Sequence, residues 1–213
     1  MTTIPPPPNL TAREALSRLR DGNMRYCQNV RSVEAMLSHN RRDLEIQRPI
    51  AIVLGCSDSR APAEVVFDQG LGDLFVIRVA GNIVAPSQVG SVEFAVERFG
   101  TRLVIVMGHT SCGAIDATIE AIQKSQAPAS RNQMSITDRV RPAIASLMAT
   151  DLVNDPVRLR REAMRANVRA SVNHMVHSSP MIERLVGSDG LLVIGAELDL
   201  VTGEVGFFDG VPA

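Results

Sequence analysis

Four short apolar runs punctuate the chain, at residues 50–54, 74–79, 103–107 and 191–198. Runs of this length, rich in Ile and Val and bounded by turn residues, predict strands buried on both faces of a parallel sheet. Between them the apolar spacing changes to three or four. Val89, Val92, Val96 and Phe99 mark a helix over 86–99 that Gly100 ends. Met164, Val168, Val172 and Met175 mark a long helix over 157–176. Shorter helices are expected over 61–67, from about Cys112, over 136–148 with Pro142 starting or kinking it, and from Pro180 to Val186, with a polar loop at 126–133. Thr202-Gly203 can turn the last long strand into a hairpin with 204–208. Alternating strand and helix predict an α/β fold. Its mostly parallel central sheet has about four parallel strands plus a C-terminal antiparallel edge strand, flanked by helices.

The N-terminal part breaks this alternation. Prolines at 5–8 form a stiff leader, and Thr11-Ala-Arg-Glu14 reads as a capping box opening a helix to about Asn29. Ala15, Leu16, Leu19 and Met24 would be its apolar stripe, and 33–45 also reads as helical. Helices that precede the first strand cannot be crossovers. Residues 1–48 are therefore expected to form a helical arm that dimerises the chain, ahead of the α/β unit at 49–213, in one domain overall.

Candidate chemistry gathers at two strand ends. Cys56-Ser57-Asp58-Ser59-Arg60 follows the first run, and His109-Thr110-Ser111-Cys112-Gly113 follows the third. Ligands of open α/β sheets collect at the carboxyl ends of strands. Cys56, Asp58, His109 and Cys112 carry the donor types that zinc accepts, and about fifty residues separate the two half-sites. A structural zinc clip more often pairs Cys-x-x-Cys knuckles close in sequence, so a catalytic site is expected. Cys112 falls at a helix start, where free amides lower a thiol's pKa, and Gly113 leaves its amide accessible to an anion. Arg60 can hold the Asp58 carboxylate through paired hydrogen bonds. Zinc then keeps an open position; if Asp58 swings to the metal, that position closes.

Bulk properties narrow the partners. A net charge of −1 gives no reason to expect nucleic acid or an anionic membrane. No apolar stretch is long enough to span a bilayer, and no signal pattern opens the chain, so the cytoplasm is the expected location. Three Cys in 213 residues argue against a disulfide framework. Cys27, His39, His174 and His177 read as ordinary structural or surface groups. Arg158, Arg161, Arg165 and Arg169 line one face of the long helix and read as a solvated face rather than an anion site.

The two motifs resemble those of the β-class carbonic anhydrases. The likeness extends to Gly22-Asn23, Phe75, Arg78, Asn82, Gly90 to Glu93 and the region from Asn167 to Pro180. It implies reversible hydration of carbon dioxide to bicarbonate, with one zinc per chain on Cys56, His109 and Cys112. Asp58 would either ligate zinc or pair with Arg60, the two forming the catalytic pair. Gln47, Phe75 and Phe94 match positions that line the carbon dioxide pocket, with Gln47 donating to a substrate oxygen. Phe94 departs from the Tyr usual in the plant-like subtype, and Val53 replaces the Trp of the bicarbonate-regulated subtype. The resemblance also implies a homodimer or homotetramer. Two alternatives share the ligands: hydrolysis of carbon disulfide or carbonyl sulfide, and a non-catalytic zinc sensor or assembly module.

Overall fold

The structure is a computed structural model, and residues 10–32, 47–125 and 130–212 are described. The proline leader, the helix expected at 33–45, His39 and positions 126–129 of the polar loop lie outside the described residues. Strands β1 (Ala51–Gly55), β2 (Leu74–Arg78), β3 (Leu103–His109), β4 (Leu192–Leu198) and β5 (Val205–Asp209) make one sheet in the order β2-β1-β3-β4-β5. β1 pairs parallel with β2 and β3, and β3 with β4. β5 returns antiparallel on β4, as the hairpin signal predicts.

Every residue of β1 and β3 is buried. Helices cover both faces, which is why these strands read as continuous apolar runs. Alternation divides the core. Ile52, Leu54, Val104 and Val106 face one layer, built from α3 (Pro86–Phe99), α4 (Gly113–Gln123), α5 (Arg131–Ile144), α6 (Pro156–His177) and α7 (Pro180–Ser188). Ala51, Val53, Leu103 and Ile105 face the other, formed by α1 (Ala12–Cys27) and the short α2 (Ala63–Val66). Gly108 and Gly195, on adjacent strands, let α6 lie close. A Cβ at Gly108 would stand 2.6 Å from Met164 Sδ, and one at Gly195 2.8 Å from Val168 Cγ1.

Local signals account for most helix ends. Thr11 Oγ1 accepts from the Glu14 amide at 3.2 Å, while Glu14 Oε2 accepts from the Thr11 amide at 2.7 Å. Gly100, at φ 68°, closes α3. Three expectations need correction. Met24 is 55% exposed. Gly22 and Asn23 take the inward positions instead, and Asn23 bonds to Val66 O, Gly203 O and the Val205 amide. α5 begins at Arg131, inside the expected polar loop, with Ser130 as its cap; Pro142 lies within it rather than starting it. The arginine row is not simply solvated. Arg161 and Arg165 hold the buried Glu197 carboxylate of β4 at 2.9 and 2.6 Å, and Arg165 and Arg169 each stand 5.1 Å over the Phe208 ring.

Candidate metal centre

β1 and β3 are neighbours, with Gly55 opposite Met107. Their carboxyl ends therefore fall at one sheet edge. Cys56 follows β1 directly, and His109 is the last residue of β3. Ser111, in the left-handed region at φ 56°, turns the chain so that Cys112 becomes the N-cap of α4. The donor atoms of Cys56, His109 and Cys112 all lie within 4.8 Å of one another, and the two sulfurs are 4.0 Å apart. All three residues are buried. Cys27 is exposed on α1 and outside this cluster, as its ordinary reading requires.

The imidazole is the telling member. Its Nδ1 lies 2.9 Å from Thr110 O, which assigns the proton to Nδ1 and leaves Nε2 as an acceptor. Nε2 is buried with no hydrogen-bond partner among the described residues. Such an orphan costs about 1–3 kcal/mol unless something satisfies it. Two sulfurs and one nitrogen around a common centre fit zinc, which accepts thiolate and imidazole in tetrahedral geometry. A cation there would satisfy the nitrogen and both sulfurs together.

Charge is arranged to match. The Cys112 hydrogen bond holds Cys56 well below the usual thiol range despite its burial, helped by His109 and the backbone amide of Gly81. Cys112 is pushed up in turn, by the bond to Cys56 and by burial. The two shifts run in opposite directions because the thiols share one contact. Burial pulls His109 toward neutrality, but Cys56 and the Thr110 carbonyl outweigh it and the net direction is upward.

Asp58 stands beside the cluster, its Oδ2 3.9 Å from His109 Nε2. Arg60 holds it in a fork, Nε to Oδ1 at 2.9 Å and Nη2 to Oδ2 at 2.8 Å, and the Arg60 amide adds a bond at 3.0 Å. This clamp keeps the carboxyl below the usual carboxylate range. The arrangement is the paired one of the two open to Asp58. Arg60 also reaches Ser111 O at 3.3 Å and so ties the two half-sites together. Arg78, at the end of β2, donates to Cys56 O at 2.9 Å and to Asp58 O. Sequence reasoning placed Arg78 only among the matched positions. Its partners are backbone carbonyls, which leave no mark in the sequence.

The remaining site candidates divide. Gly113 opens α4 next to Cys112, and a Cβ there would meet nothing within 4 Å. Gln47, Phe75 and Phe94 lie elsewhere in the chain. Gln47 precedes β1, whose five residues alone span roughly 16 Å. Phe75 pairs with Ile52 and packs on Phe94 and Phe99, with ring centroids 6.2 and 6.1 Å away. Phe94 is 52% exposed. A cavity of about 310 Å³ opens on His109 and Cys112, floored by Ile115 and Met164 and rimmed by the Asp116–Arg160 ion pair. Larger hollows of about 540 and 570 Å³ border α1, away from the ligands, so size does not mark the site.

Comparison with known proteins agrees with this geometry. The carbonic anhydrase family profile matches residues 51–205. A carbonic anhydrase of Mycolicibacterium smegmatis is 41% identical over 138 residues, which are 64% of this chain and 66% of that relative. Carbonic anhydrase 2 of Mycobacterium tuberculosis is 32% identical over 197 residues, 92% of each chain. A Coccomyxa β-carbonic anhydrase solved in complex with acetazolamide superposes with a TM-score of 0.70 at 25% identity, over 91% of this chain and 86% of that one. One of two tetrameric β-carbonic anhydrases from Sordaria macrospora gives 0.68 at 25% identity, over 80% and 86%. With its sheet order and its Cys-His-Cys cluster, the chain belongs to the β class of the carbonic anhydrase family.

Proposed function

We propose that the chain catalyses the reversible hydration of carbon dioxide to bicarbonate and a proton, with one zinc held by Cys56, His109 and Cys112. The observation that carries this reading is the orphaned His109 Nε2, buried between two sulfurs and facing a carboxylate that Arg60 has already claimed. Zinc, when bound, supplies Lewis acidity, the property that makes water acidic near neutral pH in carbonic anhydrases generally. The protein's own groups do the rest. Asp58, kept ionised by Arg60, offers Oδ2 as an acceptor that orients the attacking water. Arg60, by occupying both carboxylate oxygens, would keep Asp58 from becoming a further ligand of zinc held by Cys56, His109 and Cys112. The Gly113 amide, at the start of α4, favours a bicarbonate oxygen.

Gln47, Phe75 and Phe94 are proposed to line the carbon dioxide pocket of a second copy's centre, because they lie toward the far end of their own β1. The half-exposed Phe94 ring and the tetrameric Sordaria relatives support a homodimer or homotetramer, with the N-terminal segment as its arm. Phe94 brings an apolar wall without a hydroxyl. Among the described residues no helix is long and apolar enough to cross a membrane, and all three cysteines are free; both suit the cytoplasm. The Asp58–Arg60 clamp favours chemistry over a purely structural zinc, which has no use for it.

Stopped-flow hydration at neutral pH, with elemental analysis, tests the proposal. About one zinc per chain and turnover well above buffer are expected, both lost in Cys112→Ala. Zinc-loaded protein that hydrates carbon dioxide no faster than buffer, yet consumes carbonyl sulfide or carbon disulfide, would transfer the site to that chemistry.

A further inference from the structure

The buried residues of α6 are apolar, with two exceptions. Asn167 and Ser171 are 2% and 5% exposed, four residues apart, between Met164, Val168 and Val172. Both direct their hydrogen bonds to one place. Asn167 Nδ2 donates to Gly81 O at 2.8 Å, and Ser171 Oγ donates to Asn82 O at 3.2 Å. Those consecutive carbonyls belong to the short turn Ala80–Asn82 that follows β2.

That turn needs holding. Gly81 and Asn82 have φ values of 69° and 44°, in the left-handed region that a chain rarely keeps over two residues unaided. It also touches both half-sites. The Gly81 amide donates to Cys56 Sγ at 3.4 Å. On the other side a Cβ at Gly81 would stand 3.1 Å from the Ala114 Cβ, two residues beyond Cys112. The Val79 amide, just before the turn, donates to Gly55 O at 3.1 Å.

We infer that Asn167, assisted by Ser171, is a positioning residue of the metal centre: it pins the Gly81–Asn82 turn so that the Gly81 amide stays aimed at the Cys56 sulfur. An N–H donor to a thiolate draws charge from the sulfur and fixes its direction, and such outer partners of metal ligands commonly govern affinity. Core packing alone would be served as well by Leu or Ala at these positions. The inference rests on the zinc reading above and deepens it.

The test uses the full chain. In cadmium-113-substituted wild-type protein, a through-bond coupling is expected between the metal and the Gly81 amide proton. Asn167→Leu, which keeps the branched shape and removes the donor, should abolish or at least halve it. It should also lower zinc affinity, measured by chelator competition, by about 10–100-fold. Ser171→Ala should act in the same direction by a smaller factor and keeps the question open to measurement if the Leu variant does not fold. Val172→Ala, on the same buried face, should lower the melting temperature and leave both readings unchanged. A folded Asn167→Leu protein with the coupling intact and zinc affinity within twofold of wild type would overturn the inference. So would equal losses in Val172→Ala, which would mark general loosening. A wild-type protein that takes up neither ion would instead overturn the zinc reading, and this inference with it.

Discussion

Asp58 has its oxygens committed to Arg60, yet Oδ2 is only 3.9 Å from the imidazole nitrogen that awaits a cation. One side chain therefore separates an open coordination position from a closed one. Asp58→Asn should keep most of the zinc, since the three ligands remain, and should lower the hydration rate by roughly 100-fold, the scale of losing one aligned polar group at a reacting centre. Zinc content and stopped-flow rate on one preparation check this; wild-type turnover would remove Asp58 from the chemistry. The ligands were legible because thiols and an imidazole at strand ends advertise themselves by type. The parts played by Arg78 and Asn167, matched by the resemblance only as positions, were not. Each acts through a backbone carbonyl, and a carbonyl looks the same beneath every residue name.

Elements show the same division between what patterns reveal and what packing decides. Apolar runs located β1 to β4, most plainly β1 and β3, where burial on both faces makes the run continuous, while β5 was found through the Thr202-Gly203 turn. α1 was harder. A period of 3.6 offers Met24 for the core, but Asn23, with three backbone partners, takes the place. α5 carried an overlooked cue in Ser130, whose hydroxyl accepts from the Gln133 amide at 3.2 Å. Gly22 marks the tightest approach in α1, since a Cβ there would fall 1.8 Å from the Phe67 carbonyl oxygen. Gly22→Ala must push α1 away from Phe67 at the end of α2. It is expected to cost roughly 3 kcal/mol or more, at the upper end of single substitutions, read as a lower denaturant midpoint. Gly100→Ala, forced into the left-handed cap of α3, should cost about 1–2 kcal/mol in the same assay.

Across the whole molecule, acid should find Asp68. Burial would raise this carboxyl, but the Arg25 pair at 2.7 Å and the Ser32 amide at 2.9 Å prevail, and its net direction is downward. A carboxyl depressed in the folded state stabilises above its unfolded value, near 4, and that contribution fades as pH falls through the folded one. Asp68→Asn should therefore narrow the stability gap between pH 7 and pH 3, measured by denaturant unfolding at each pH. Removing zinc should act globally as well. Chelation leaves buried sulfurs and an imidazole without their shared partner, so the melting temperature should drop and recover when zinc is restored. The parentage of those ligands also has a bearing on synthesis. Cys56 leaves the ribosome about fifty residues ahead of His109, and until β3 docks beside β1 a passing cation meets a single sulfur. Loading thus waits for the finished sheet, and a copy that stalls or misfolds on the way carries no cargo.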